Sequence, residues 1–388
     1  MHRLMMWLSC LVLSSFFSVP LEAKTDSVIA NWSKVASLPL STQKGEPTGI
    51  SAAYTGVIGS YLVIAGGANF PNGHPYFDGA SKYYHDTIYV YDTSDNQFKL
   101  VATSKLPMAM GYGATVTKNN HLLLVGGKNN QQTYDTVIEL TLDENHIPQT
   151  QIVARLPFVW SDGAADTHDD FLYLFAGNVD GKISNQVCKF SFVSARCDSD
   201  IPALPAIART QFPAISINDE FMLFGGFNPQ ATSHNFALTD GYAFDYSTAS
   251  WRALPNTQLN NKDVTLAGGS ALRLAKNKIL FLGGVNKQIF DNAVLKLTTL
   301  QGQALAQFKQ QYFSMPVAAF KFNRKQIVFD LKRGTWSALK QLVPFAGGAG
   351  PLQTAQYQDT LYWVSGEVKA VQRSPYIYSA KVSHLTEK

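Results

Sequence analysis

The chain has 388 residues, of which 46% are hydrophobic, 12% aromatic and only 15% charged. That apolar content suffices for a large core and excludes a disordered or coiled-coil protein. The formal net charge of +4 is too small and too scattered for a nucleic-acid binder, and is compatible with an anionic small substrate.

The first expected element is an export signal. Arg3 precedes an apolar run from Leu4 to Val19, and Leu21-Glu22-Ala23 offers a small residue for cleavage. Residues 1–23 therefore read as a removable signal peptide, which sends the chain to the periplasm and leaves it with no membrane segment. A lipoprotein reading at Cys10 is disfavoured, because the apolar stretch before it is too short. Cleavage would remove Arg3 and Glu22 together, so the net charge stays at +4. It would also leave only Cys188 and Cys197, which flank the alternating stretch Lys189-Phe190-Ser191-Phe192-Val193. In an oxidising compartment a cross-strand disulfide between them is favoured over two buried thiols.

From there a repeat sets the fold. Apolar runs end in Gly66-Gly67, Gly126-Gly127, Gly225-Gly226 and Gly283-Gly284, with degenerate copies at Ala176-Gly177 and Ser365-Gly366. The second positions are 67, 127, 177, 226, 284 and 366, with gaps of 60, 50, 49, 58 and 82 residues. These bracket the ~50 residues of a kelch blade. A second strand follows each doublet, as in Thr87-Ile88-Tyr89-Val90-Tyr91-Asp92, and a tryptophan strand closes the unit, as in Ser250-Trp251-Arg252-Ala253-Leu254. The expectation is an all-β, six-bladed kelch-type β-propeller, one domain over residues 24–388.

The last unit stops after Tyr376-Ile377-Tyr378-Ser379-Ala380 without its tryptophan strand. That strand stands at the start, as Asn31-Trp32-Ser33-Lys34-Val35-Ala36-Ser37-Leu38-Pro39. The N-terminal strand should therefore complete the last blade and leave no open edge. Two insertions break the regularity. Residues 68–86 read as an ordered loop, and residues 285–320 include a helical pattern over Asn292–Tyr312. Both follow a doublet, so both should rise from one face, which becomes the expected functional face.

Comparing the blades with one another isolates the chemistry. Asn69, Asn129, Asn228 and Asn286 stand two residues after a doublet, where asparagine suits a turn. One residue after it come Ala68, Lys128, Asn178, Phe227, Val285 and Glu367, of which Glu367 is the only acid. Lys369 and Arg373 follow it closely. An acid beside a planar guanidinium fork can do acid–base work on a bound carboxylate. Arg209, Trp160 and Asp162 fall where a blade begins and are expected to face the channel; Arg209 is a second candidate for a substrate carboxylate, with a structural ion pair as its commoner role. His85-Asp86 and His168-Asp169-Asp170 read first as loop polar groups. No HExxH, zinc spacing or nucleotide motif occurs, so neither metal nor cofactor is expected.

The chain resembles the bacterial N-acetylneuraminate epimerases, also called sialic acid mutarotases, which are kelch-type propellers with this permuted closure. The resemblance rests on Gly66-Gly67-Ala68-Asn69-Phe70-Pro71, Gly283-Gly284-Val285-Asn286-Lys287-Gln288-Ile289-Phe290, Phe322-Asn323-Arg324-Lys325 and Gly366-Glu367-x-Lys369-x-x-x-Arg373. It implies cofactor-free interconversion of the α and β anomers of a sugar acid. Glu367 would be the proton acceptor with Arg373 beside it, and Asn286, Arg324 and Lys369, which fall in the family-like stretches, would line the same pocket; Arg209 joins these substrate-contact candidates from its place at a blade's start alone. The family also suggests a homodimer. It usually carries Pro-Gly where this chain has Ala370-Val371. Two competing readings are a non-catalytic kelch module that binds a glycan or protein, and a copper-radical oxidase. The oxidase is disfavoured because it needs copper-ligand histidines and a cysteine cross-linked to tyrosine.

Overall fold

Every apolar run that ends in a doublet is the second strand of an antiparallel sheet. In the computed structural model, described over residues 28–29, 31–94, 98–198, 200–231, 234–348 and 353–383, six such sheets form the six blades of a propeller. The expected signal segment 1–23 lies outside the described residues. Blade 1 runs Tyr54–Ile58, Tyr61–Ala65, Thr87–Asp92 and Lys99–Lys105 in sheet order. The first strands of the other blades are Ala114–Lys118, Ala164–His168, Ala214–Ile217, Gly269–Ala275 and Thr354–Tyr357. Both faces of each blade are covered by a neighbour, so the second strands are apolar throughout, as in Leu122, Leu123, Leu124 and Val125.

Six apolar clusters fill the spaces between neighbouring blades. One joins blades 1 and 2 through Tyr54, Val63, Leu122 and Leu124. Another joins blades 5 and 6 through Leu272, Leu280, Trp363 and Trp32. Each fully buried large side chain contributes roughly 1.5–3 kcal/mol. The core is thus a ring of wedges rather than one central mass.

The N-terminal strand Ser33–Ser37 pairs antiparallel with Tyr376–Ser383, Ser33 opposite Ser379 and Ser37 opposite Tyr376. Trp32 sits edge-on against Phe345, which stacks in turn on Trp363 and packs on Tyr378. Chain entry and chain exit therefore lock together in blade 6.

The doublets obey a simple backbone rule. The first position holds φ of 64°, 57°, 60° and 72° in the glycine copies, and 52° and 56° at Ala176 and Ser365. That is the left-handed helical region, which an L-residue enters at a cost of roughly 1–2 kcal/mol. At the second position φ is 90°, 107°, 87°, 86°, 103° and 100° in chain order, a conformation suited to glycine alone. This is why the degenerate copies lose the first glycine and keep the second.

Cys188 and Cys197 are bonded through their sulfurs, with nine residues of separation. Among the described residues no helix is long and apolar enough to cross a membrane.

The second insertion departs from the sequence pattern. Instead of one helix over Asn292–Tyr312 there are two, α1 (Lys287–Thr299) and α2 (Gly302–Ser314), followed by a 3-10 turn at Val317–Phe320. The first starts early because Asn286 caps it, its side-chain oxygen accepting the Ile289 N–H at 3.1 Å. The break comes at extended Leu300 and Gln301, before Gly302 at φ 53°. The other insertion docks on α2, where the Tyr76 hydroxyl donates to the Ala306 carbonyl at 3.0 Å and His74 packs on Phe313. The two insertions thus stand on the same face and touch.

Candidate functional site

The segment after the sixth doublet builds the site. Ser365 fastens it: its hydroxyl accepts the Ile50 N–H at 2.8 Å and lies 2.6 Å from the Ser374 carbonyl. Gly366 lets the strand leave beside Gln353, whose side chain would sit 2.9 Å from any added Cβ. A small hairpin follows, Glu367–Lys369 against Gln372–Arg373, with Glu367 directly opposite Arg373. Its turn places Val371 at φ 75°. A β-branched residue at such a φ is strained.

The hairpin register brings the two expected residues together. Arg373 Nη2 donates to Glu367 Oε2 at 3.1 Å, and its Nε donates to Ser51 Oγ at 3.1 Å. The guanidinium lies 4.9 Å from the centre of the Phe70 ring. Nη1 is buried and has no hydrogen-bond partner. A buried, unpaired cationic donor is costly unless a ligand pairs it. The Arg373 side chain is 4% exposed and that of Glu367 is 25% exposed, so the acid faces open space and the guanidinium lies behind it.

That space has two ends. The polar end, about 610 Å³ counting its opening to solvent, is lined by Ser51, Phe70, Lys82, Tyr112, Val371 and Arg373. The apolar end, of similar size, is lined by Val285, Ile289, Phe290, Tyr312, Phe320 and Phe322 among others. Gln211, Glu367 and Ala370 border both, so the acid stands at the junction.

The far wall is a polar relay. Lys82 Nζ donates to the Tyr112 hydroxyl at 3.1 Å, and Lys128 Nζ lies 4.8 Å from the centre of the Tyr112 ring. Lys128 pairs with Asp162 at 2.5 Å, and Asp162 accepts Gln211 Nε2 at 3.1 Å. On the insertion side, burial first and the nearby Glu367 charge second push the Tyr312 phenol up to about 12. That phenol is protonated at neutral pH.

Other candidates are placed elsewhere. Arg209 is wholly buried and does not face the cleft; both its terminal nitrogens bind Asp240, at 2.6 and 2.8 Å, and it caps the Gly225 carbonyl. It is a structural ion pair. Lys369 spends its ammonium on the Phe313 and Met315 carbonyls, at 3.1 and 2.8 Å, and so ties the hairpin to the end of α2. Arg324 donates Nε and Nη2 to the Val343 carbonyl and is not among the cleft-lining residues. Asn286 does border the apolar end, with its side-chain oxygen engaged as the α1 cap. Trp160 is buried and donates to the Ala176 carbonyl, whereas Asp162 reaches the cleft through Gln211. His85 binds Asn69, and His168 stacks on Tyr246 away from the cleft. Among the described residues no three His, Cys, Asp or Glu side chains gather as a metal-ligand set.

The sequence reading missed Ser51, Phe70, Lys82, Tyr112, Gln211 and Tyr312. A signal existed for some of these. Ser51 pairs with Ala68 just as Gly111 pairs with Lys128 and Thr210 with Phe227, so the residues entering each blade border the same mouth.

Fold and site together define a kelch-type six-bladed propeller with an acid–arginine pair in a cleft roofed by its insertions. The chain belongs to the N-acetylneuraminate epimerase family, whose model matches residues 20–148 and 154–387. It is 30% identical over 187 residues to an N-acetylneuraminate epimerase of Yersinia enterocolitica, covering 47% of this chain and 45% of that relative. A Salmonella enteritidis protein of the same name is 26% identical over 181 residues, 46% of each chain. Another from Salmonella newport is 27% identical over 183 residues, again 46% of each. The aligned stretches span under half the length of these relatives.

Proposed function

We propose that this protein interconverts the α and β anomers of N-acetylneuraminate by acid–base ring opening. The observation that carries the reading is the buried Arg373 Nη1, without a partner, beside the Glu367 carboxylate at the junction of the cleft. A sugar-acid carboxylate would pair Nη1, and that places the adjacent anomeric carbon near Glu367. Glu367 takes the anomeric hydroxyl proton as the bond from the anomeric carbon to the ring oxygen breaks, leaving a ketone. The ring oxygen takes a proton, and Tyr312 is the donor we assign. Reclosure on the other face of the ketone returns both protons and gives the opposite anomer. Such general acid–base assistance is typically worth ~10²–10⁴-fold.

We place this activity in the periplasm, on the strength of the export signal at residues 1–23. The test is anomer exchange of freshly released sialic acid followed by NMR, with and without protein. Arg373→Ala should mainly weaken binding, and the loss should be smaller for an analogue lacking the carboxylate. Binding without any acceleration of exchange would replace the enzyme by a sugar-acid-binding module.

A further inference from the structure

Apart from Tyr312 at its edge, the apolar end of the cleft has no part in the ring-opening chemistry, yet it opens onto the same glutamate. Its walls are tied to the propeller by ring contacts and a backbone bond. Phe290 of α1 packs on Phe227 of blade 4 at 5.3 Å between ring centres, and Tyr312 of α2 packs on Phe320 at 5.2 Å. Val285 is held by its N–H bond to the Ala267 carbonyl at 3.0 Å. Such a surface rejects the hydroxyl-rich parts of a sugar acid, because a buried hydroxyl without a partner is costly.

The residue between the two ends is Gln211, which is fixed on three sides. Its backbone N–H donates to the Asp162 carbonyl at 2.8 Å, and its own carbonyl accepts the Gly268 N–H at 2.9 Å. Its side-chain nitrogen binds the Asp162 carboxylate at 3.1 Å. An ionised carboxylate only accepts, so the amide cannot be turned the other way round, and its oxygen is left as the atom that can take a ligand N–H. An N–H acceptor at the mouth of an apolar compartment matches an acylamino group, which has one N–H followed by a short alkyl end.

We propose that this end of the cleft is a specificity subsite for the acylamino substituent of the sugar acid. Gln211 takes the amide N–H, and Val285, Ile289, Phe290 and Phe322 enclose the acyl carbon chain. The inference rests on the ring-opening reading for its substrate, and it adds that the inserted helices set which sugar acids are accepted.

The test compares N-acetylneuraminate with the analogue bearing a hydroxyl in place of the acetamido group, measuring both binding and catalysed anomer exchange with the full chain. Wild-type protein should favour the acylated acid in kcat/KM by at least roughly 10- to 200-fold, the range for a small apolar group alone. Val285→Phe, which fills the compartment, and Gln211→Ala, which removes the acceptor, should each reduce that ratio at least about tenfold. Equal use of the two acids by wild-type protein would overturn the proposal, as would variants that leave the ratio unchanged. If neither exchange is accelerated, the ring-opening reading fails and binding alone decides: selective binding of the acylated acid upholds the subsite, and equal binding overturns it.

Discussion

Trp32 donates its indole N–H to the Gln326 side chain at 3.1 Å, across 294 residues of sequence. The bond joins the N-terminal strand of blade 6 to the third strand of blade 5, and it lies inside the cluster that holds Trp363 and Phe345. Trp32→Ala should therefore cost about 3–5 kcal/mol, as large aromatic truncations in cores do. Because the strand closes the ring, the loss should appear as one cooperative shift of the whole transition in denaturant unfolding. A local change confined to blade 6, with the main transition unmoved, would contradict the closure.

The doublet rule makes a paired prediction. Gly177→Ala would place a Cβ 2.7 Å from both the Gly163 nitrogen and the Ser161 carbonyl oxygen, at φ 87°, and should destabilise by more than about 2 kcal/mol. Ala176→Gly, at the tolerant first position, should change stability by no more than about 1 kcal/mol. Thermal unfolding of the two variants checks the contrast.

Val371 carries strain that glycine would relieve. Val371→Gly should stabilise the protein by about 1 kcal/mol, since glycine reaches φ 75° without a Cβ clash and offsets part of that gain by its freedom in the unfolded chain. Glu367 and Arg373 pair across this turn, so their contact should survive. A lower melting temperature would show that the valine side chain matters more than its backbone.

Arg209 separates structure from function. Arg209→Met removes the guanidinium that Asp240 binds, and because the Asp240 side chain is 28% exposed the loss should fall below the about 3–5 kcal/mol of a fully buried pair. The folded fraction should keep its affinity for the sugar acid. A large loss of affinity at unchanged stability would return Arg209 to the binding site.

These residues also mark how far the sequence could be read. Blade number and the Glu367–Arg373 pair were legible because they follow from local constraint, φ at a doublet and closeness in the chain, and closure because the last unit lacks the tryptophan strand that stands near Trp32. The partners of Arg209 and Lys369 were not, because sequence spacing does not say which distant group a cation meets. Asp240 lies 31 residues from Arg209, and the Phe313 carbonyl lies 56 from Lys369. That the two insertions share a face was legible, but their contact was hidden for the same reason, since Tyr76 reaches Ala306 across 230 residues. Tyr312 was read only as part of a helical pattern. Its assignment as the proton donor rests on its place in the cleft wall that Glu367 also borders.

The central claim is that Glu367 moves the anomeric proton, and Glu367→Gln tests it most directly. The amide keeps the shape of the side chain and can still meet Arg373 through its oxygen. Binding of N-acetylneuraminate should therefore persist, while anomer exchange, followed by NMR on freshly released substrate, slows by ~10²–10⁴-fold. A Glu367→Gln protein that exchanges the anomers at the wild-type rate would contradict the account.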